Sequence, residues 1–122
     1  MPNEAEPCIE IIFTQEFKRN LRRLARKYRH IKSDITPLLK ELENAESPGD
    51  QIPRTGYTVY KVRVANSDLQ RGKSGGYRVI YSSKVSSAPI RIVLLTIYSK
   101  TEQGDIPVAK LERILEESET ES

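Results

Sequence analysis

The chain has 122 residues, 37% hydrophobic and 30% charged, which is the balance of a single soluble domain, 1–122, with a modest core. No apolar run approaches the roughly 20 residues that cross a bilayer, and residues 1–7 carry Glu4 and Glu6 in place of a basic, apolar leader, so the expectation is a cytoplasmic protein with no membrane partner. Twenty Lys and Arg stand against 17 Asp and Glu for a net charge of +3, and the lone Cys8 excludes an internal disulfide or a cysteine zinc site.

Residues 8–13, CIEIIF, read as a short strand, with Cys8 as a small buried hydrophobe. Thr14 then opens a helix whose apolar face is Phe17, Leu21, Leu24 and Tyr28. Its other faces are basic: Lys18, Arg19, Arg22, Arg23, Arg26, Lys27, Arg29 and Lys32 occur with no acid between them. A second helix is expected from about Ser33-Asp34 to Ala45, with Ile35, Leu38, Leu39 and Leu42 as its stripe and Pro37 in its first turn. Residues 47–50 then form an exposed loop. Strands follow at 57–64, 77–82 and 90–98, the last apolar on both faces and so central in the sheet. A break at 104–107 precedes a last helix, 108–117, and the ends 1–7 and 117–122 are expected to be disordered. The order β-α-α-β-β-β-α is an α+β layout: a helix hairpin packed on a small, mainly antiparallel four-stranded sheet, with a short C-terminal helix.

The chemistry is concentrated between residues 59 and 81. In VYKVRV, Lys61 and Arg63 point to one face of a strand while Tyr60, Val62 and Val64 point to the other. In YRVIY, Arg78 shares its face with Ile80. If the apolar set packs under the helices, Lys61, Arg63 and Arg78 gather on the open face. That face is either a solvated surface or a cationic groove suited to a phosphodiester. The loop at 70–76, QRGKSGG, ends like a nucleotide-binding P-loop, but Ser67 stands where its first glycine belongs and a strand follows instead of a helix. It is either a plain hairpin loop or a basic loop whose Arg71 and Lys73 grip a nucleic-acid backbone. His30 is the single histidine, which excludes a two-histidine ribonuclease. No carboxylates cluster on the strand face, so neither a metal nor another cofactor is expected.

The runs GKSGGYRVIY and IVLLTIYSKTEQGDI resemble the RelE/HigB toxins of bacterial toxin–antitoxin pairs, and FKRNLRRLARKYRHIKSDITPLLKEL is similar to the helix hairpin of the same family. The resemblance covers about residues 10–115 and implies a RelE/ParE-type fold. It also implies metal-free cleavage of mRNA on the ribosome, in which the 2′-hydroxyl attacks the adjacent phosphate, and control by a cognate antitoxin protein. Carried over by motif, Lys61 assists removal of the 2′-proton, Arg63 supplies a second cation, and Arg78 holds the scissile phosphate. The family's further arginine and tyrosine near the last strand have no match in Ser99-Lys100-Thr101-Glu102 or Asp105-Ile106-Pro107. Tyr98 and Lys100 stand nearest as RNA contacts, and the general acid stays open. Two other activities fit the same sequence: inhibition of gyrase, as in the ParE branch, and non-catalytic binding of RNA or the ribosome through the basic helix.

Overall fold

The computed structural model of the chain describes residues 8–53, 58–69, 75–84 and 89–121. Strand β1 (Ile9–Phe13) leads directly into helix α1 (Gln15–Lys27), and Thr14 makes the turn possible. Its Oγ1 accepts the Phe17 N–H at 3.1 Å and lies 2.9 and 3.0 Å from the Leu94 and Leu95 carbonyl oxygens, to which it donates. The hydroxyl therefore caps the helix and fastens it to the sheet at once, at a residue 2% exposed. Thr14→Ala is expected to lower the unfolding free energy by about 1–2 kcal/mol. Urea denaturation of Thr14→Ala beside Thr14→Ser checks this: the serine variant keeps the cap and should recover most of the loss.

Helix α2 (Ile31–Glu43) begins earlier than expected and places Pro37 in its interior instead of its first turn. A long-range contact accounts for the early start. Asp68 accepts the His30 backbone N–H at 2.9 Å and contacts His30 Nδ1 at 2.7 Å, so a carboxylate from a distant loop serves the helix entrance that Ser33 and Asp34 were expected to serve. Asp34 instead accepts from the Ser67 N–H and hydroxyl. Phe17 and Leu24 of α1 and Ile31, Ile35, Leu38 and Leu42 of α2 are buried against the sheet, as the apolar spacing required.

The sheet has five strands, not four, in the order β1-β5-β4-β3-β2. Beside β1 these are β2 (Asp50–Gln51), β3 (Val59–Val64), β4 (Tyr77–Lys84) and β5 (Ile90–Ser99). β1 runs parallel to β5 and the other neighbours are antiparallel, so the sheet is mixed. The added strand is two exposed polar residues with no periodicity to betray it. Gly49 sets it in place. Its φ is +96°, and a Cβ there would come within 2.5 Å of the Lys61 carbonyl oxygen, so only glycine lets the chain lie this close to β3.

Helix α3 (Val108–Glu121) follows β5 and extends past the expected end at residue 117. Nothing in the Glu- and Ser-rich sequence after Leu115 stops a helix, since it has neither Gly nor Pro. Residues 1–7, also expected to be disordered, lie outside the described residues. Cys8 is exposed, against the expectation of burial, because it precedes β1 and only its carbonyl, which accepts the Ile90 N–H, joins the sheet.

The helix hairpin covers one face of the sheet, over Val64, Tyr77, Val79, Tyr81, Ile92, Leu94 and Ile97. On the other face Leu111, Ile114 and Leu115 of α3 pack against Val59, Ile80, Leu95 and Tyr98. The face expected to be open is thus partly roofed, giving helix, sheet and helix layers. A bulge at Leu95, where Tyr81 pairs with Leu94 but Ile80 pairs with Thr96, re-phases β5. Leu94 and Ile97 consequently both face the hairpin, while Leu95 and Tyr98 face α3.

Two tyrosines in the hairpin core offer a paired test. Burial pushes the phenol of each well above its usual range. The Tyr81 hydroxyl donates to the Pro48 carbonyl at 2.6 Å, anchoring the segment before β2, whereas the buried Tyr77 hydroxyl has no partner among the described residues. Tyr81→Phe should cost about 1 kcal/mol, and Tyr77→Phe should be neutral or stabilising, because it removes an unsatisfied polar group. Thermal melts that rank the two in the opposite order would contradict this assignment.

Candidate active site

Strand pairing brings three of the expected residues together. Arg63 on β3 lies directly opposite Arg78 on β4, and Arg78 lies opposite Tyr98 on β5, so the three form one cross-strand row. Lys61 is in the next row, opposite Ile80. Lys61 and Arg63 alternate with Tyr60, Val62 and Val64, which pack on the hairpin side, so the cations share the α3 side of the sheet with Arg78. Like charges set directly opposite on a sheet are destabilising. The Arg63–Arg78 pairing concentrates positive charge at this point of the sheet.

The members of the row differ in exposure. Arg63 is exposed, but Arg78, expected on an open face, is 5% exposed on the side of the sheet that α3 partly roofs, and donates from Nη1 to the Tyr77 carbonyl at 3.2 Å. Tyr98, expected to touch RNA, is 2% exposed, in the cluster formed with α3. Burial, with a smaller contribution from Asp105, raises its phenol above the usual range against the opposing effect of Arg78. Its hydroxyl lies by the Ile106 backbone without a well-formed hydrogen bond. Arg71 and Lys73 lie outside the described residues.

A carboxylate that no motif or spacing singles out sits among these cations. Asp105, on the segment between β5 and α3, places Oδ1 3.2 Å from Lys61 Nζ and 3.7 Å from Lys100 Nζ. The hydrogen bond and charge of Lys61, then the charge of Lys100, hold the Asp105 carboxyl below the usual carboxylate range. Its ion pairs are therefore intact at neutral pH and are lost only as pH falls through that lowered value. No spacing rule joins residues 61, 100 and 105; the sheet alone does.

The same segment reaches the basic helix. Glu102 pairs with Arg23 at 3.3 Å and Lys27 at 3.1 Å, and accepts from the Tyr28 hydroxyl at 3.4 Å. Burial raises the Glu102 pKa, but these partners outweigh it and the carboxyl sits below its ordinary value. Arg19 pairs with Glu16. Among the described residues no acid pairs with the exposed Lys18, Arg22 or Arg26, which follow one another at i, i+4 and i+8, about 6 Å apart along the axis.

A cleft of about 460 Å³ runs along β3, lined by Lys61 and Arg63 and by the acids Asp34, Glu41 and Asp50. Its acids make it a poor seat for a polyanion, so the cationic row on the α3 side is the stronger candidate. Among the described residues no three His, Cys, Asp or Glu side chains gather as a metal site, and no helix is long and apolar enough to cross a membrane. Compared with known proteins, the chain matches no family model and no curated protein.

Proposed function

We propose that this chain is the toxin of a toxin–antitoxin pair, a metal-independent endoribonuclease of the RelE/HigB kind that cuts mRNA on the ribosome in the cytoplasm. The observation that carries the reading is the set of Lys61, Arg63 and Arg78 on one side of a rigid sheet, with two arginines forced opposite each other. In this reading Arg78 holds the scissile phosphate, Arg63 adds positive charge, and Lys61 assists loss of the 2′-proton. The 2′-oxygen then bonds to the adjacent phosphorus, the bond from phosphorus to the 5′-oxygen breaks, and the leaving oxygen takes up a proton. The products are a 2′,3′-cyclic phosphate and a 5′-hydroxyl, and cations aimed at the phosphorane lower the barrier. Lys100 and Tyr98, and Arg71 and Lys73 of the loop before β4, supply contacts to the RNA in this reading. A cognate antitoxin silences the protein, either by covering this cationic ground or by displacing α3.

Primer extension on a defined mRNA in a reconstituted translation system tests the proposal. Cuts inside A-site codons that require ribosomes are the expected result, and intact message with folded protein would overturn it. One observation favours a second reading, a non-catalytic RNA- or ribosome-binding module: the exposed basic stripe Lys18, Arg22 and Arg26 on α1, which no acid among the described residues pairs with. Tight, salt-sensitive ribosome binding without cuts would select it. Broken DNA with intact transcripts would select gyrase inhibition instead.

A further inference from the structure

We propose that Lys61 and Lys100 form a phosphate site that Asp105 fills from within the chain, so that a polynucleotide phosphate binds there only by displacing this carboxylate. The inference deepens the reading above and rests on it for the nature of the ligand.

Three separate parts of the fold converge on the site. Lys61 comes from β3, Lys100 follows β5, and Asp105 arrives from the segment before α3. A single carboxylate oxygen lies within 4 Å of both ammonium groups, the arrangement a phosphate oxygen would take between two lysines. Around it the charges do not balance. Lys61, Lys100 and Arg63 bring three positive charges to adjoining positions of the sheet and its end, and among the described residues Asp105 is the carboxylate placed in ion pairs with Lys61 and Lys100.

Magnitude decides whether the carboxylate can leave. The Asp105 side chain is 68% exposed and the two lysines are 31% and 37% exposed. Ion pairs this open to water contribute only about 0–1 kcal/mol. A phosphodiester replaces that carboxylate charge for charge, and the phosphorane formed during cleavage carries more negative charge than the carboxylate does. The exchange therefore costs little on binding and favours the transition state. Beside Asp105 the structure leaves open space for an incoming group: a Cβ at Gly104 would meet no heavy atom within 4 Å.

The test measures binding, not cleavage. A fluorescent all-deoxy oligonucleotide lacks the attacking 2′-hydroxyl and survives intact, so its anisotropy with the full chain reports the site alone. Asp105→Asn should tighten Kd by about 3- to 5-fold, the fold-change that corresponds to releasing an exposed ion pair. Lys100→Gln should weaken binding, and in the Lys100→Gln background Asp105→Asn should give a smaller gain, because Asp105 then competes for Lys61 alone. Glu43→Gln, which removes an acid at the far end of α2, controls for net charge. A gain from Asp105→Asn no larger than that from Glu43→Gln, a full gain in the Lys100→Gln background, or no saturable binding by either wild type or Asp105→Asn would overturn the proposal. The two readings separate cleanly. Tighter binding by Asp105→Asn with uncut message would keep the phosphate site and remove the nuclease, whereas cuts with unchanged binding by Asp105→Asn would do the reverse.

Discussion

Replacing Arg78 by lysine is expected to slow ribosome-dependent mRNA cleavage by about 10²- to 10³-fold, the loss seen when a group aimed at transition-state charge is removed. Lysine keeps the positive charge but loses the planar fork that meets two phosphate oxygens at once. Arg78 is nearly buried, between Arg63 on one side and Tyr98 on the other, so a lysine there has little freedom to recover the lost geometry. Arg78→Met sharpens the test, because it keeps a stem of similar bulk without any charge. Arg78→Met removes the bond from the guanidinium to the Tyr77 carbonyl but also relieves the desolvation of a buried charge and the repulsion of Arg63. Arg78→Met should accordingly melt within about 1–3 kcal/mol of the wild type while its cleavage falls at least as far as that of Arg78→Lys. Quantitative primer extension beside thermal melts checks both halves. Full cleavage by either folded variant would take Arg78 out of the chemistry, and a large loss of stability in Arg78→Met would make it a structural residue instead.

The helices and the main strands were legible because their signals are local. Phe17, Leu21 and Leu24 recur at helical spacing, and Tyr60, Val62 and Val64 alternate with Lys61 and Arg63, so periodicity alone assigned those faces. What was missed depends on residues far apart in the chain. Two polar residues, Asp50 and Gln51, become a strand only because Gly49 lets them approach β3. The start of α2 is moved by Asp68, which lies 38 residues beyond His30. The bulge at Leu95 cannot be read from IRIVLLTIY, where every position near it is apolar, yet it decides that Tyr98 stands beside Arg78. The candidate site divides along the same line. Lys61, Arg63 and Arg78 were visible from strand parity, but the roof of α3 and the place of Asp105 were not, since both depend on how the chain returns after β5.

Gly76→Ala is expected to destabilise the protein on the order of 3 kcal/mol and to lower its melting temperature by roughly 10 °C, the upper range for forcing a methyl group into a filled space. A Cβ at Gly76 would lie 2.1 Å from the Val64 carbonyl oxygen, 2.9 Å from the Asn66 nitrogen and 3.1 Å from the Ala65 Cα. All three are backbone atoms, so no side chain can rotate away, and the end of β3 must part from β4. The Gly76 carbonyl also accepts the Lys100 N–H at 2.9 Å, so the displacement reaches β5 as well. Arg78, two residues further on, and Lys100 would both shift, and cleavage should fall even below the melting temperature. Gly104→Ala is the matched control: nothing stands near its added methyl group, and by restricting the unfolded chain it should be neutral or stabilising by up to about 1 kcal/mol. The contrast separates two roles for the glycines of GKSGGYR. If Gly76→Ala folds as well as the wild type and fails only in binding, this glycine serves close approach of a ligand; if it loses stability as expected, the motif is conditioned by strand packing, and its chemistry resides in the arginine that follows.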